Sequence, residues 1–318
     1  MLEIWADNPI EANWFMDLNI KLKKSSFHTI GARETNSSVE VNKLIKYDRP
    51  DIILLKEKKP ILVLEKTREV PTGHNVGQRF ARLVRSAEMQ IPVIYFLPFD
   101  ARKHGKYSSI CNLNARLIRA MLNLSEIHKT PCLTVNWPSD DDGQLVIDGT
   151  EDKLVRKLVT ALIEKDGFKS KVISSHLTWM ANEYEERCQR YPGYRGLPTS
   201  VEITKTDQFI LKNPQITETN RKKLRRRSDS MVYKIDMSEG SCKRQDPYTG
   251  MQFIYDYAWL RSGPTPKNRN KNLILQVPNV RVSTWKSKNP NDSNTKSCNW
   301  YLTADAIVLK DGMIPIEH

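Results

Sequence analysis

Residues 47–55 read Tyr-Asp-Arg-Pro-Asp-Ile-Ile-Leu-Leu, and residues 61–67 read Ile-Leu-Val-Leu-Glu-Lys-Thr after an intervening Lys-Glu-Lys-Lys-Pro segment. Two short apolar runs on either side of a charged turn predict a β-hairpin. One acid, Asp51, opens the first strand, and another, Glu65, stands near the end of the second. The hairpin therefore brings two carboxylates toward the same end of a pair of strands.

These two carboxylates predict a metal site. Side chains of a strand alternate between two faces, so Glu65 and Thr67 share one face and Lys66 lies on the other. A carboxylate within such an apolar strand is costly to bury unless a partner neutralises it. Two converging carboxylates repel each other, and a divalent cation relieves that repulsion. Asp51 and Glu65 therefore indicate a site for a divalent cation, of the kind used in phosphate chemistry.

The segments around the hairpin alternate between helical and strand patterns. The run 91–98 is continuously apolar between two prolines, which is typical of a strand buried on both sides. Helices are predicted where apolar residues recur at helical spacing. Together these patterns predict an α/β fold with a sheet that is at least partly parallel. Besides the hairpin, the predicted elements are helix 37–45, helix 74–88, strand 91–98, a helix with apolar positions from Ile110 to Leu124, strand 132–137 and helix 151–165.

The pattern changes beyond about residue 170. A helical signal persists over 174–190, but most of the remainder consists of short strand-like runs and polar loops, with a loop predicted over 286–299 and a strand over 304–309. We therefore place a boundary near 168–175. Residues 1–170 form the predicted core, and residues 171–318 form an accessory or recognition region.

Composition restricts the class of partner. The formal net charge of +13 and the pI of about 9.4 favour a polyanion. No apolar run approaches the roughly 18 residues that span a bilayer, so no membrane partner is expected. The first residues show no signal-peptide pattern. The five cysteines have no C-x-x-C spacing, which disfavours a disulfide framework or structural zinc and makes the cytoplasm the expected location.

The hairpin acids resemble the motif of the PD-(D/E)xK nuclease superfamily, which includes many restriction endonucleases. Asp51, preceded by a proline, is similar to the first half of that motif. Glu65 and the two residues after it are similar to the second half. The resemblance covers roughly residues 37–98. It implies a restriction-endonuclease-like mixed sheet flanked by helices, with a C-terminal α+β elaboration or second domain. It also implies that both acids bind Mg²⁺, with the backbone carbonyl of Lys66 as a further ligand.

The chain departs from this family at the third catalytic position. In the family a lysine two residues after the second acid helps to activate water, whereas this chain has Thr67 there. Lys66 does not substitute for it in a regular strand, because it points to the opposite face unless a bulge intervenes. Three alternatives are open. Thr67 orients a water through its hydroxyl, a basic side chain comes from elsewhere, or the fold has lost catalysis.

Neighbouring helices supply further candidates. Glu40 lies on the helix before the hairpin, where many family members place a glutamate close to the metal; the alternative is an exposed helix acid. Gln78, Arg79 and Arg82 lie on the next helix, where related nucleases place a Gln or Arg near the scissile phosphate. The alternative for these three residues is a solvated helix face.

A basic run provides a second candidate DNA contact. Residues 221–227 read Arg-Lys-Lys-Leu-Arg-Arg-Arg, and we expect this run to be exposed. Exposed cations attract a DNA backbone and add a salt-dependent contribution to binding, without carrying sequence information. The DNA-binding candidates in this run are Arg225, Arg226 and Arg227.

These features predict a Mg²⁺-dependent endonuclease that hydrolyses phosphodiester bonds in double-stranded DNA. Among such enzymes a type II restriction enzyme is favoured, and palindromic targets then imply a homodimer. A second possibility is a structure-specific or repair nuclease whose latter half recognises DNA shape. A third is a catalytically inactive nuclease-fold protein that binds DNA or takes part in assembly.

Overall fold

A computed structural model describes residues 1–31, 38–71, 74–102, 108–164, 169–192, 201–240, 242, 271–287 and 299–317 of the chain. The chain divides into two compact units. The first consists of Met1–Thr72 and Arg82–Arg195, and the second of Gly73–Ala81 and Gly196–His318. Each unit is built on its own β-sheet.

The first unit contains a six-stranded mixed sheet in the order β2-β1-β3-β4-β5-β8. The strands β1, β3 and β4 are antiparallel neighbours, whereas β4, β5 and β8 run parallel. Two short strands, β6 and β7, form a separate hairpin. The strands are β1 (Leu2–Ala6), β2 (Ser26–Thr29), β3 (Ile52–Lys56), β4 (Lys59–Lys66), β5 (Val93–Leu97), β6 (Asp100–Arg102), β7 (Ile110–Asn112) and β8 (Cys132–Asn136).

Helices flank this sheet, and this mixed α/β architecture confirms the predicted fold class. The predicted hairpin, buried strand and parallel pairing are all present. The predicted helix 74–88 forms with the predicted bounds, and the predicted helices 37–45 and 151–165 form with bounds that differ by one or two residues. The helices are α1 (Pro9–Asp17), α2 (Val39–Leu44), α3 (His74–Glu88), α4 (Ala115–His128), α5 (Lys153–Glu164) and α6 (Lys171–Arg190). Of α3, the part from Arg82 onward belongs to the first unit.

One predicted helix begins later than its apolar spacing suggests. Ile110 lies in β7 and is exposed, so it is not the first apolar position of α4. The helix begins after Asn114, whose side chain accepts a hydrogen bond from the backbone N–H of Arg116. An N-cap of this kind satisfies a backbone donor that has no partner within the helix, and it sets where the helix starts.

The helix α6 belongs to the first unit, which therefore extends past the predicted boundary at residue 170. His176 Nε2 donates to the backbone carbonyl of Thr134 in β8, at 2.8 Å. Arg187 donates to the carboxylate of Asp100 at 2.9 Å and to the carbonyl of Leu113 at 3.2 Å. All three contacts join α6 to residues more than forty positions earlier in the chain. Apolar spacing along one helix does not reveal such contacts.

The second unit has a five-stranded sheet in the order β13-β12-β11-β10-β9, with β10, β11 and β12 parallel and the two outer strands antiparallel. Apolar clusters cover both faces of this sheet. A second sheet after the first agrees with the predicted C-terminal elaboration. Its elements are β9 (Val201–Lys205), α7 (Thr206–Lys212), α8 (Glu218–Leu224), β10 (Asp229–Lys234), β11 (Lys271–Val277), α9 (Val282–Ser287), β12 (Ala306–Leu309) and β13 (Gly312–Pro315).

The loop predicted over 286–299 mostly lies outside the described residues; Lys286 and Ser287 end α9. Within the described ranges, every helix is too short or too polar to cross a bilayer.

The burial of His176 makes the stability of the first unit depend on pH. Burial lowers the pKa of this imidazole below its ordinary value, although its bond to the Thr134 carbonyl opposes that shift. The unfolded chain therefore binds a proton on His176 at a higher pH than the folded chain does. Consequently the free energy of unfolding decreases as the pH falls through the ordinary value of about 6.5.

We expect the wild-type protein to lose stability between about pH 7.5 and pH 5.5, with His176 contributing at most about 1.4 kcal/mol per pH unit. His176→Gln retains a donor for the Thr134 carbonyl but cannot gain a proton, so its stability should change less with pH. Denaturant unfolding at several pH values measures the difference. Identical pH profiles for the two proteins would show that His176 does not titrate differently on folding.

Candidate active site

The hairpin places Asp51 and Glu65 across from each other. The pairing of β3 with β4 sets Ile52 opposite Leu64, so the next position in each direction brings the two acids together at the open end of the hairpin. The backbone N–H of Lys66 donates to Asp51 Oδ2 at 2.7 Å, which fixes the first carboxylate against the second strand. The predicted convergence of the two acids is therefore present.

Arg82 of α3 lies at the point where these carboxylates meet. Its Nη1 donates to both carboxylate oxygens of Glu65, at 3.0 and 3.1 Å, and lies 4.0 Å from Asp51 Oδ1. Its Nε donates to Asp48 Oδ2 at 2.9 Å, and its Nη2 donates to the same oxygen. One guanidinium thus contacts three carboxylates.

The electrostatics of this cluster follow from its burial. The Glu65 side chain is 0% exposed, and that of Arg82 is 16% exposed. Burial alone would lower the pKa of Arg82, but the negative charges of Glu65, Asp48 and Asp51 outweigh it and raise that pKa above its ordinary value. A buried carboxylate needs such a partner, because leaving its charge unpaired in an apolar interior costs several kcal/mol.

The donor set suits Mg²⁺ in its chemistry, since carboxylate oxygens are the ligands this hard cation prefers. Three carboxylates and one guanidinium leave two formal negative charges, which a divalent cation would neutralise. Among the described residues, however, no three or more His, Cys, Asp or Glu side chains are grouped so that they could hold a metal ion as they stand. Both oxygens of Glu65 accept a hydrogen bond from Arg82 Nη1, so a cation at this site would compete with the guanidinium for Glu65.

Lys66 points away from these acids, as the alternation of the strand predicts. Its Nζ lies 3.3 Å from Glu11 Oε2, 3.9 Å from the centre of the Trp14 ring and 4.9 Å from that of Trp137. Burial lowers the pKa of Lys66, while the carboxylates of Glu11 and Asp152 oppose the shift. Its ammonium group is therefore held between rings on the opposite face of β4.

Thr67 is buried, and its hydroxyl takes part in a local turn. It accepts a hydrogen bond from the backbone N–H of Glu69 at 3.3 Å and lies 3.4 Å from the carbonyl of the same residue. The predicted role of Thr67 in orienting water stays a prediction.

The remaining candidates on α2 and α3 differ in their exposure and in their contacts. Glu40 pairs with Lys43 of its own helix at 2.6 Å and is partly exposed, so the contact seen is that of a surface helix acid. Arg79 is partly buried. The side chain of Gln78 lies outside the described part of the chain. Of the three candidates on α3, it is Arg82 whose contacts join the two motif acids.

Sequence reasoning missed Asp48 as a member of the cluster. It lies three positions before Asp51 in the decisive stretch, but only the docking of α3 reveals that it shares a guanidinium with the motif acids. Its signal in the sequence is that of an ordinary turn residue before a strand.

The basic run of the second unit is only partly available to a ligand. Arg225 and Arg226 are exposed, and Arg225 pairs with Asp207 at 2.9 Å. Arg227 is half-buried and lies 3.2 Å from Asp305 Oδ1. The expectation that the whole run is exposed is therefore wrong: Leu224 is buried, Arg221, Lys223 and Arg227 are partly buried, and Arg227 has a counter-ion just before β12.

Comparison of the chain with known protein families, curated proteins and solved structures gave no match. The functional argument therefore depends on the geometry of the chain's own residues.

The Arg82–Glu65 pair can be tested through stability. Arg82→Met leaves Glu65 buried without its cation, so we expect it to cost about 3–5 kcal/mol of unfolding free energy. The double variant Glu65→Gln/Arg82→Met removes both charges and should cost less than the sum of the two single changes. Denaturant unfolding measures all three variants.

Lys43→Met provides the matched control, because it breaks the exposed pair with Glu40 and should cost only about 0–1 kcal/mol. If the costs at Glu65 and Arg82 simply add, the two side chains are not coupled in the folded protein.

Proposed function

We propose that this chain is a Mg²⁺-dependent endonuclease that hydrolyses phosphodiester bonds in double-stranded DNA, as a type II restriction enzyme. The observation that carries the proposal is the convergence of Asp51 and Glu65, from two neighbouring strands, on one guanidinium. The mixed sheet with antiparallel strands at the acids and parallel strands beyond them supports the same conclusion. So does the excess of basic over acidic residues.

In this proposal Asp51 and Glu65 hold the metal, with the backbone carbonyl of Lys66 beside them and Glu40 as a further acid on α2. When bound, Mg²⁺ acts as a Lewis acid toward the phosphodiester and its attacking water. Asp51 is oriented for this task by the N–H of Lys66. Glu65 would serve as a metal ligand in place of its present bonds to Arg82.

We assign to Arg82 the positive charge that the motif lysine supplies elsewhere in the family. It is the basic side chain in contact with both motif acids, whereas Lys66 faces the opposite layer. A guanidinium released from Glu65 offers forked donors that match the oxygens of a phosphate. The alternative in which a basic residue comes from elsewhere thus has a specific candidate.

The second unit would contribute contacts to the target, with Arg225 and Arg226 as exposed cations near the end of α8. A palindromic target favours a homodimer, because a two-fold axis in the protein then matches that of the DNA. We place the enzyme in the cytoplasm.

One observation favours a second candidate function, a DNA-binding protein whose nuclease fold is inactive. Glu65 is fully buried and both its oxygens are bound by Arg82, which is the geometry of a structural ion pair. If Arg82 never leaves Glu65, this carboxylate stays paired with the guanidinium and does not serve as a metal ligand. A structure-specific or repair nuclease would use the same acids, so the substrate distinguishes that possibility.

Cleavage of DNA separates these functions. Purified protein incubated with plasmid and phage DNA plus Mg²⁺ should yield discrete fragments, and EDTA should prevent them. Smearing or a preference for branched DNA indicates a repair-type nuclease, whereas a mobility shift without cleavage indicates the inactive fold.

Glu65→Gln should abolish the cleavage, because the neutral amide is a poor ligand for Mg²⁺, and should leave metal-free DNA binding intact. Glu57→Gln is the matched control, since Glu57 is exposed at the other end of the same hairpin. Full cleavage by the Glu65 variant would remove this acid from the chemistry, and equal loss of binding would show that it is structural.

The contribution of the basic run can be measured from the salt dependence of DNA binding. If Arg225 and Arg226 each contact a phosphate, Arg225→Gln/Arg226→Gln should reduce the slope of log K against log salt by about 2. Lys212→Gln/Lys310→Gln removes two exposed cations elsewhere in the same unit and serves as the control. If the slope is the same in the wild-type protein and in both double variants, the basic run is not part of the DNA interface.

A further inference from the structure

A groove runs between α5 and α6 in the first unit. One part, of about 420 Å³, is lined on its floor by Leu154, Val172, His176 and Trp179. A second part, of about 320 Å³, continues along the same helices and shares Val172 and Lys157 with the first. Two large apolar side chains of this floor, Leu154 and Trp179, are each 37% exposed.

Unpaired lysines border this groove. Lys153, Lys157 and Lys171 are all exposed, and none has an acidic partner within the part of the chain that the structure describes. The one carboxylate in the lining, Glu164, is already paired with Lys21 at 2.8 Å. The rim therefore carries an uncompensated positive charge.

The floor is rigid. The imidazole of His176 stacks on the Trp179 ring with 5.1 Å between centroids and 19° between planes, and its Nε2 is bonded to the Thr134 carbonyl. Phe99 lies against the same indole at 5.9 Å. An aromatic surface beside exposed cations combines two features of proteins that bind nucleic-acid strands.

We propose that the α5–α6 groove binds the sugar–phosphate backbone of nucleic acid. Lys153 and Lys157, one helical turn apart on α5, and Lys171, facing them on α6, would contact successive phosphates. The hydroxyl of Ser175 lies in the lining as a further donor, and Trp179 presents apolar surface to a sugar or an unpaired base. A continuous polyanion can engage both rims at once, which is why a nucleic acid fits this surface better than an isolated anion.

This inference deepens the proposed function, but the groove is separate from the hairpin acids. Asp152, just before α5, accepts a hydrogen bond from Trp14 Nε1 at 2.7 Å, and Trp14 packs on Lys66. The groove-forming helix α5 thus begins on the face of β4 opposite to Glu65. Contacts in the groove should therefore strengthen DNA binding without changing the rate of the chemical step.

The test uses the full chain in EDTA with fluorescein-labelled duplex DNA and, separately, the corresponding single strand. Anisotropy gives the affinity at several salt concentrations. We expect Lys157→Gln/Lys171→Gln to bind about tenfold more weakly at low salt, with a slope of log K against log salt reduced by about 2. Cleavage at saturating DNA with Mg²⁺ should proceed at the wild-type rate.

Lys56→Gln/Lys59→Gln is the matched control, because these two exposed lysines face each other across the hairpin turn of the same unit. Bound DNA should also protect Lys157 and Lys171, but not the control pair, from acetylation detected by mass spectrometry. A melting temperature equal to that of the wild-type protein confirms that each variant is folded.

Unchanged affinity and slope in the groove variant, or equal losses in the control, would overturn the inference and leave an acidic protein segment as the occupant. If the groove variant loses affinity but the wild-type protein cleaves no DNA, the inference stands and the nuclease proposal fails. If the wild-type protein binds neither probe, both fail.

Discussion

Neutralisation of Glu65 by Arg82 is the interaction on which the first unit depends. Glu65 follows the apolar run Ile61–Leu64 of β4, and its side chain has no exposure to water. The apolar burial that stabilises β4 would be offset by an unpaired charge at this position. The guanidinium of α3 removes that conflict, and it also engages Asp48 and Asp51 before the adjacent strand. Docking of α3 and closure of the hairpin end are therefore coupled.

The end of β4 carries opposite charges on its two faces. Glu65 is neutralised by α3 on one side, and Lys66 is held by Glu11 and the Trp14 ring of α1 on the other. Each charge is matched by a different helix layer, so the strand is fixed between them. For the proposed chemistry this means that Arg82 can be displaced from one face while the pairing of Lys66 maintains the strand.

Much of the fold follows from periodicity. In the hairpin, in α3 and in the buried strand β5, the spacing of the apolar residues shows which faces of the element are buried. The start of α4 does not follow from spacing, because the N-cap at Asn114 outweighs one apolar residue, Ile110, that stands in line with the helix. The assignment of α6 to the first unit depends on hydrogen bonds to Thr134 and Asp100, which are distant in sequence.

The sequence by itself determined that two acids meet at one end of a hairpin, that Lys66 faces away from them and that the chain is strongly basic. The first two properties follow from the alternation of side chains along a strand, which is local. The third follows from composition, which is a sum over residues. Only the tertiary structure decided that Arg82 neutralises the acids, that Asp48 joins them and that Arg227 is withdrawn into an ion pair. Such pairings are chosen by the packing of helices and strands that are far apart in the chain, because a buried charge takes whichever opposite charge the fold brings within reach.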